Sequence, residues 1–176
     1  MLQKFYNKNF KYELINKFVL KNNINLLKIE KITLNFGCKS ADIKQLSSSL
    51  LALELITNQK GILTKTKYSN ILFKIRKGNP TGCKITLRNL SSFNFLYKML
   101  VEVFPKLKNF YGLVLNKNSK TNTFSFQIKE TFSFSDLENR YYLFNNLPKI
   151  NISFTTNAKT RYELLFILKF FKIPVK

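Results

Sequence analysis

The chain has no histidine and no tryptophan, two cysteines, four prolines, five glycines and only nine acidic residues among 176. Each scarcity removes a class of function. Without histidine, the commonest general base and metal ligand is missing, and Cys38 and Cys83 alone do not complete a tetrahedral zinc site. They read as two reduced thiols, buried or half-buried, which fits a reducing compartment. The nearest approach to a carboxylate cluster is Glu130, Asp136 and Glu138, without metal-ligand spacing, so these read as solvated or ion-paired charges. No cofactor, no metal and no catalysis are expected. No apolar run reaches the roughly 18 residues of a membrane-spanning helix. The best stretch, LLFILKFFKIPV at 164–175, is broken by Lys169 and Lys172. The expectation is a soluble or assembly-bound protein with no membrane partner.

What is present in excess is positive charge: 30 Lys and Arg against nine Asp and Glu, a net +21 spread from end to end. A compact domain with that charge repels itself unless a polyanion neutralises it, and nucleic acid is the polyanion that rewards neutralisation with counterion release. With 45% apolar residues and 18 Phe the chain is equipped to bury a core. One domain over residues 1–176 is the economical reading. The basic segment 1–22 has no Arg or Ser and carries Glu13 within an amphipathic pattern, so it reads as a folded helix rather than a transit peptide. Heavy use of Lys, Asn, Ile, Phe and Tyr suggests an AT-rich coding genome.

Hydrophobic spacing predicts helices over 4–20 (Phe10, Leu14, Ile15, Phe18), 41–56, 92–103 and 159–171. Pro105 is expected to limit the third of these. Period-two alternation predicts strands over 27–36, 62–66, 83–88, 124–129 and 150–156. In the first strand the alternation slips at Glu30 and Lys31, the signature of a bulge or of a later strand start. Residues 65–82 form a long basic loop. The order argues α+β, an antiparallel or mixed β-sheet with helices packed on one face and the other face free.

The stretch ILFKIRKGNPTGCKITLR (71–88) spaces its glycines as G-x-x-x-G-x-K, which is neither a P-loop nor a dinucleotide fingerprint, and a strand rather than a helix follows. What remains is Lys65, Lys67, Lys74, Arg76 and Lys77 interleaved with Tyr68 and Phe73, cations for phosphates and aromatics for stacking. A merely solvated lysine-rich loop shares that composition. Thr33 and Asn35 on one strand, with Lys84, Thr86 and Arg88 on another, would form one polar platform if the two strands share a sheet. Such a platform suits RNA, whose deep, narrow major groove excludes helices. An ordinary wet sheet face has the same pattern.

IEKITLNFG (29–37), TNQKGILTKTKYSNILFKIRKGNPTGCKITLR (57–88), KLKNFYGL (106–113) and INISFTTNAK (150–159) together resemble the universal large-subunit ribosomal protein five family, the binders of 5S ribosomal RNA. The resemblance covers nearly the whole chain. It implies an antiparallel sheet with helices on one side and no enzymatic activity. The implied partners are 5S RNA, large-subunit RNA, P-site transfer RNA, a small-subunit head protein and other proteins of the central protuberance. Carried over position by position, the 5S-reading residues are Asn35, Gln59, Thr86 and Arg88. The loop facing transfer RNA and ribosomal RNA comprises Lys65, Lys67, Tyr68, Lys74, Arg76, Lys77, Asn79, Pro80 and Thr81, and is expected to be mobile until RNA orders it.

The sequence departs from the family pattern at Asn89, where glycine is usual, and at Tyr111, where arginine is usual. It follows the pattern only loosely over 128–137, and Thr160, Arg161 and Tyr162 replace an acidic helix start. Together with the AT-rich usage, the resemblance points to a mitochondrial ribosome ahead of a plastid or an AT-rich bacterium. The alternative is a general basic RNA-binding chaperone in an organelle without a recognisable 5S RNA.

Overall fold

The structure is a computed structural model, and it describes residues 5–18, 26–38, 42–73, 75–108, 110–115 and 121–175. The five alternating stretches become strands β1 (Ile29–Gly37), β2 (Ile62–Lys65), β3 (Pro80–Leu87), β4 (Thr123–Ile128) and β5 (Ile150–Thr156). They form one sheet in the order β2-β3-β1-β5-β4, with every neighbouring pair antiparallel. The slip at Glu30 and Lys31 is a bulge, because the pairing of β1 with β5 shifts register between Ile29 and Lys31. An extra residue there re-aims the strand while keeping Ile32, Leu34 and Phe36 inward.

On the inward face, the apolar residues of β1 meet Cys83, Ile85 and Leu87 of β3 and Ile150, Ile152 and Phe154 of β5 in one buried cluster. Helices close this cluster from one side. Helix α1 covers residues 5–17, and the remainder of the expected N-terminal helix, residues 1–4 and 19–22, lies outside the described residues. Its Phe10 is fully buried, with its ring against those of Phe166, Phe170 and Phe171. Helix α2 (Ile43–Thr57) packs on β3. It starts at Asp42, whose carboxylate accepts from the Lys44 N–H at 3.1 Å, and ends at Asn58 in the left-handed region, φ 52°.

Helix α3 spans 89–106 and differs from the sequence expectation at both ends. Pro105 is its penultimate residue, and the helix stops at Lys106, one residue past the expected limit. The preceding turn, Met99–Val103, is widened to π geometry, and the Phe104 N–H reaches back five residues to the Met99 carbonyl. The wider turn accommodates a proline ring that would otherwise press on the preceding turn of backbone. At the other end Asn89 takes φ 50°, a conformation glycine adopts freely and asparagine tolerates better than most residues. The family's usual glycine at this position thereby acquires a physical reason.

Two short helices that the periodicity did not reveal, α4 (Ser135–Glu138) and α5 (Tyr141–Phe144), seat Phe134, Leu137 and Phe144 in the core. Helix α6 (Arg161–Phe170) begins with a capping box, the Thr160 hydroxyl accepting from the Glu163 N–H and the Glu163 carboxylate accepting from the Thr160 N–H. No described helix is long and apolar enough to cross a membrane.

Candidate nucleic-acid interface

Strand register decides which polar residues share the uncovered face. Asn35 pairs with Lys84 on one side and Asn151 on the other, and Asn151 pairs in turn with Gln127. The result is a row across four strands: Lys84, Asn35, Asn151, Gln127. The next row reads Thr86, Thr33, Ser153, Ser125, and the one beyond it Lys31, Thr155, Thr123. None of these eleven residues is buried, and none is acidic. Ser125 and Ser153 join their hydroxyls at 3.0 Å. The Asn151 Oδ1 is shielded from solvent and accepts no hydrogen bond.

Thr33, Asn35, Lys84 and Thr86 therefore do share one platform, as the two strands' alternation anticipated. The half contributed by β4 and β5 was not singled out from sequence. Its signal was present, since FSFQIK and INISFTT alternate as cleanly as CKITLR, but alternation alone does not say which strands lie side by side.

The four residues carried over from the family resemblance lie as follows. Asn35 is in mid-row on β1, and Thr86 is opposite Thr33 on β3. Arg88 is exposed at the junction of β3 and α3. Gln59 is exposed in the turn between α2 and β2. That turn is pinned where the Gly61 N–H donates to the Glu54 carboxylate at 2.9 Å, and β2 then pairs Ile62 with Lys84. Because β2 runs antiparallel to β3, residues before Ile62 lie toward Thr86 and Arg88. The chain thus brings Gln59 to the same corner of the sheet as Thr86 and Arg88, while Asn35 is one row away.

At the opposite end of β3 the expected long loop is shorter than the sequence suggested. Lys65 belongs to β2, and Pro80 and Thr81 belong to β3. Proline is tolerated as the first residue of a strand because its missing N–H costs least there. What remains, residues 66–79, is a hairpin. Thr66 and Asn79 join at 3.0 Å, the Gly78 N–H donates to the Thr66 carbonyl at 3.0 Å, and Asn70 and Ile75 exchange two backbone bonds.

Glycine is required twice here. Gly78 turns at φ 88°, and a Cβ on Gly82 would lie 2.7 Å from the Phe36 carbonyl oxygen. Lys65, Lys67, Tyr68, Arg76 and Lys77 are exposed, whereas Asn79, Pro80 and Thr81 are half-buried; Lys74 lies outside the described residues. Thr81 to Arg88 is seven steps of strand, about 23 Å at ~3.3 Å each. The hairpin and the Arg88 corner are therefore separate surfaces.

Asp136 is ion-paired with Lys98, and Glu138 with Lys106 at 2.7 Å. Among the described residues no group of His, Cys, Asp and Glu is placed to hold a metal. Both thiols are free and buried. Cys38 Sγ is 3.6 Å from the Ser49 hydroxyl, and burial pushes the Cys83 thiol up to about 11, far from the thiolate a nucleophile needs.

A sheet with helices on one side and a largely uncharged polar face on the other, flanked by a basic hairpin, defines an α+β protein whose open face carries the chemistry that suits a polyanion. Comparison with known proteins narrows that class. Residues 22–76 match the family "Ribosomal protein L5", and residues 80–175 match the C-terminal region of the same ribosomal family. The chain is 40% identical to the large ribosomal subunit protein uL5m of Reclinomonas americana, covering 99% of this chain and 97% of that one. It is 38% identical to uL5 of Wigglesworthia glossinidia brevipalpis, covering 99% and 98%, and 34% identical to uL5 of Nitrosomonas europaea over the same shares. The chain belongs to the ribosomal protein L5 family and is a non-enzymatic structural component of the large ribosomal subunit.

Proposed function

We propose that this protein anchors 5S ribosomal RNA in the central protuberance through the corner formed by Asn35, Gln59, Thr86 and Arg88. The observation that carries this reading is the coincidence of two independent lines. The residues that the family resemblance implicates, and the polar face that strand register assembles, meet at Asn35 and Thr86. Thr86 and Asn35 offer uncharged donors and acceptors to base edges and 2′-hydroxyls, and Arg88 offers a fixed fork to a phosphate or a guanine. The rest of the open face is suited to large-subunit RNA. The hairpin at 66–79 is assigned to P-site transfer RNA, and contacts with the small-subunit head and neighbouring proteins complete the docking. Mechanistically, distributed lysines supply sequence-independent affinity and the Arg88 corner supplies register.

The mitochondrion is the assigned compartment, supported by the AT-rich residue usage and by the mitochondrial protein among the relatives. The test is binding of the full chain to 5S RNA and to a scrambled RNA of equal length. Arg88→Ala is expected to weaken 5S binding selectively. Equal loss for both RNAs overturns the specific site and leaves a general RNA-binding chaperone as the better description. Sequencing the RNA that co-purifies with the protein tests both the 5S partner and the compartment.

A further inference from the structure

Glu54 is an outlier by charge. Between it and Glu102 the chain carries nine Lys and Arg and no carboxylate, and the same stretch supplies Gln59, Thr86 and Arg88. A negative charge beside a surface that receives phosphates opposes their approach. Nor does Glu54 neutralise a neighbour, since no described Lys or Arg forms an ion pair with it.

What Glu54 holds is a turn. It lies in the last turn of α2, and two N–H groups from beyond the helix return to it. The Asn58 N–H donates to its backbone carbonyl at 2.8 Å, and the Gly61 N–H donates to its side-chain carboxylate at 2.9 Å. Asn58, at φ 52°, reverses the chain between them. Gln59 and Lys60 are the residues enclosed by the two bonds, and both are exposed. Pairing with β3 begins only at Ile62. The carboxylate bond therefore ties the far side of the turn to the helix, and a charged acceptor makes it stronger than a neutral one would.

We propose that Glu54 is a positioning residue for 5S RNA recognition: by holding the Gly61 N–H, its carboxylate fixes the direction in which the turn presents Gln59. This rests on the assignment of Gln59 to 5S RNA above and adds the group that aims it. The turn is then ordered on folding rather than on binding, which favours the one RNA that Gln59 fits. RNA held only through its phosphates gains nothing from that direction. The sign of the effect separates aim from charge. Removing the carboxylate raises the net positive charge, which by itself tightens binding to any RNA, whereas losing the aim weakens binding to 5S RNA alone.

The experiment compares two variants of the full chain that remove the same charge. Glu54→Ala also removes the acceptor, while Glu54→Gln keeps an amide oxygen in its place. Glu54→Ala is expected to weaken binding to 5S RNA roughly two- to tenfold, the scale of ordering one long side chain on binding. A scrambled RNA of equal length should bind at least as tightly as before. Glu54→Gln should keep most of the 5S preference. In a chain already carrying Gln59→Ala, Glu54→Ala should cost nothing further. Hydrogen exchange gives a readout without RNA: the Gly61 amide should exchange faster in the Ala variant than in the Gln variant, with the amides of β3 equally protected in both.

Equal 5S affinity for the two variants, a 5S loss of the same size when Gln59 is already replaced, or equal protection of the Gly61 amide overturns the positioning role alone. A Gln59→Ala chain that binds 5S RNA as tightly as the unaltered one, or an unaltered chain that does not prefer 5S to scrambled RNA, overturns the corner reading and this role with it.

Discussion

Gly82→Ala is the substitution that most directly tests how the sheet is held together. Gly82 lies in β3 between β1 and β2, and a methyl group there would lie 2.7 Å from the Phe36 carbonyl oxygen and 2.8 Å from the Thr64 hydroxyl oxygen. An ordinary carbon–oxygen contact begins near 3.3 Å, so relief requires roughly 0.6 Å of displacement. The threonine can rotate, but the carbonyl is backbone of the paired central strand and cannot. Overpacking of this kind costs about 1–3 kcal/mol. The stiffer unfolded chain returns about 0.4–1 kcal/mol of that. The net expectation, from mid-range values, is a loss of about 1–2 kcal/mol, read by circular dichroism as a fall in melting temperature of about 2–8 °C at ~2–4 °C per kcal/mol for a domain of this size. Adding Thr64→Ala should not restore stability, because the backbone contact persists. A melting temperature equal to or above that of the unaltered chain would refute the close-approach argument.

Two other positions give equally direct outcomes. At Asn89, φ 50°, replacement by Gly should leave stability unchanged or raise it by up to about 1 kcal/mol, while Val should lower it by about 1–2 kcal/mol; thermal or urea unfolding checks both, and a stable Val variant would contradict the left-handed assignment. For Cys83, burial raises the thiol from 9.0 to about 11, so the folded state retains a proton that the unfolded state gives up. This contribution to stability is complete below about pH 9 and is lost as pH rises toward 11. Iodoacetamide at pH 8 should label Cys83 only after unfolding, as followed by peptide mass spectrometry.

Much of this architecture is legible in the amino-acid order because the strands are half-buried and alternate cleanly. Cys83, Ile85 and Leu87 had to face inward once Lys84 and Thr86 faced outward, and even the bulge at Glu30 and Lys31 was marked by a broken alternation. The rest was hidden for identifiable reasons. Pro105 sits in a helix because the turn before it widens, an accommodation that local propensity does not encode. The hairpin closes through Asn70, whose side chain replaces a backbone bond in a stretch that reads as loop. Helices α4 and α5, each four residues long, are too short for any periodicity to register.

The candidate site followed the same division. Its halves on β1 and β3 were visible as polar faces, but Asn151, Ser153, Ser125 and Gln127 joined them only through register, which depends on which strands become neighbours. Gln59 was reached by family resemblance alone, and its place beside the Thr86–Arg88 corner is a consequence of the antiparallel course of β2.

The strand order carries a consequence for biosynthesis. β1 is central, yet one of its two neighbours, β5, begins at residue 150. Pairing across that distance closes a large loop, whose entropy must be lost before the contact forms. On the ribosome that makes it, the nascent chain can join β1 to β3, and β3 to β2, early, but the other edge of β1 stays open until more than four-fifths of the protein has emerged. An open edge of this kind invites association with other chains. The same net charge of +21 that suits the mature protein to RNA also keeps half-made copies apart, so the residues that secure its final partner protect it before that partner is met.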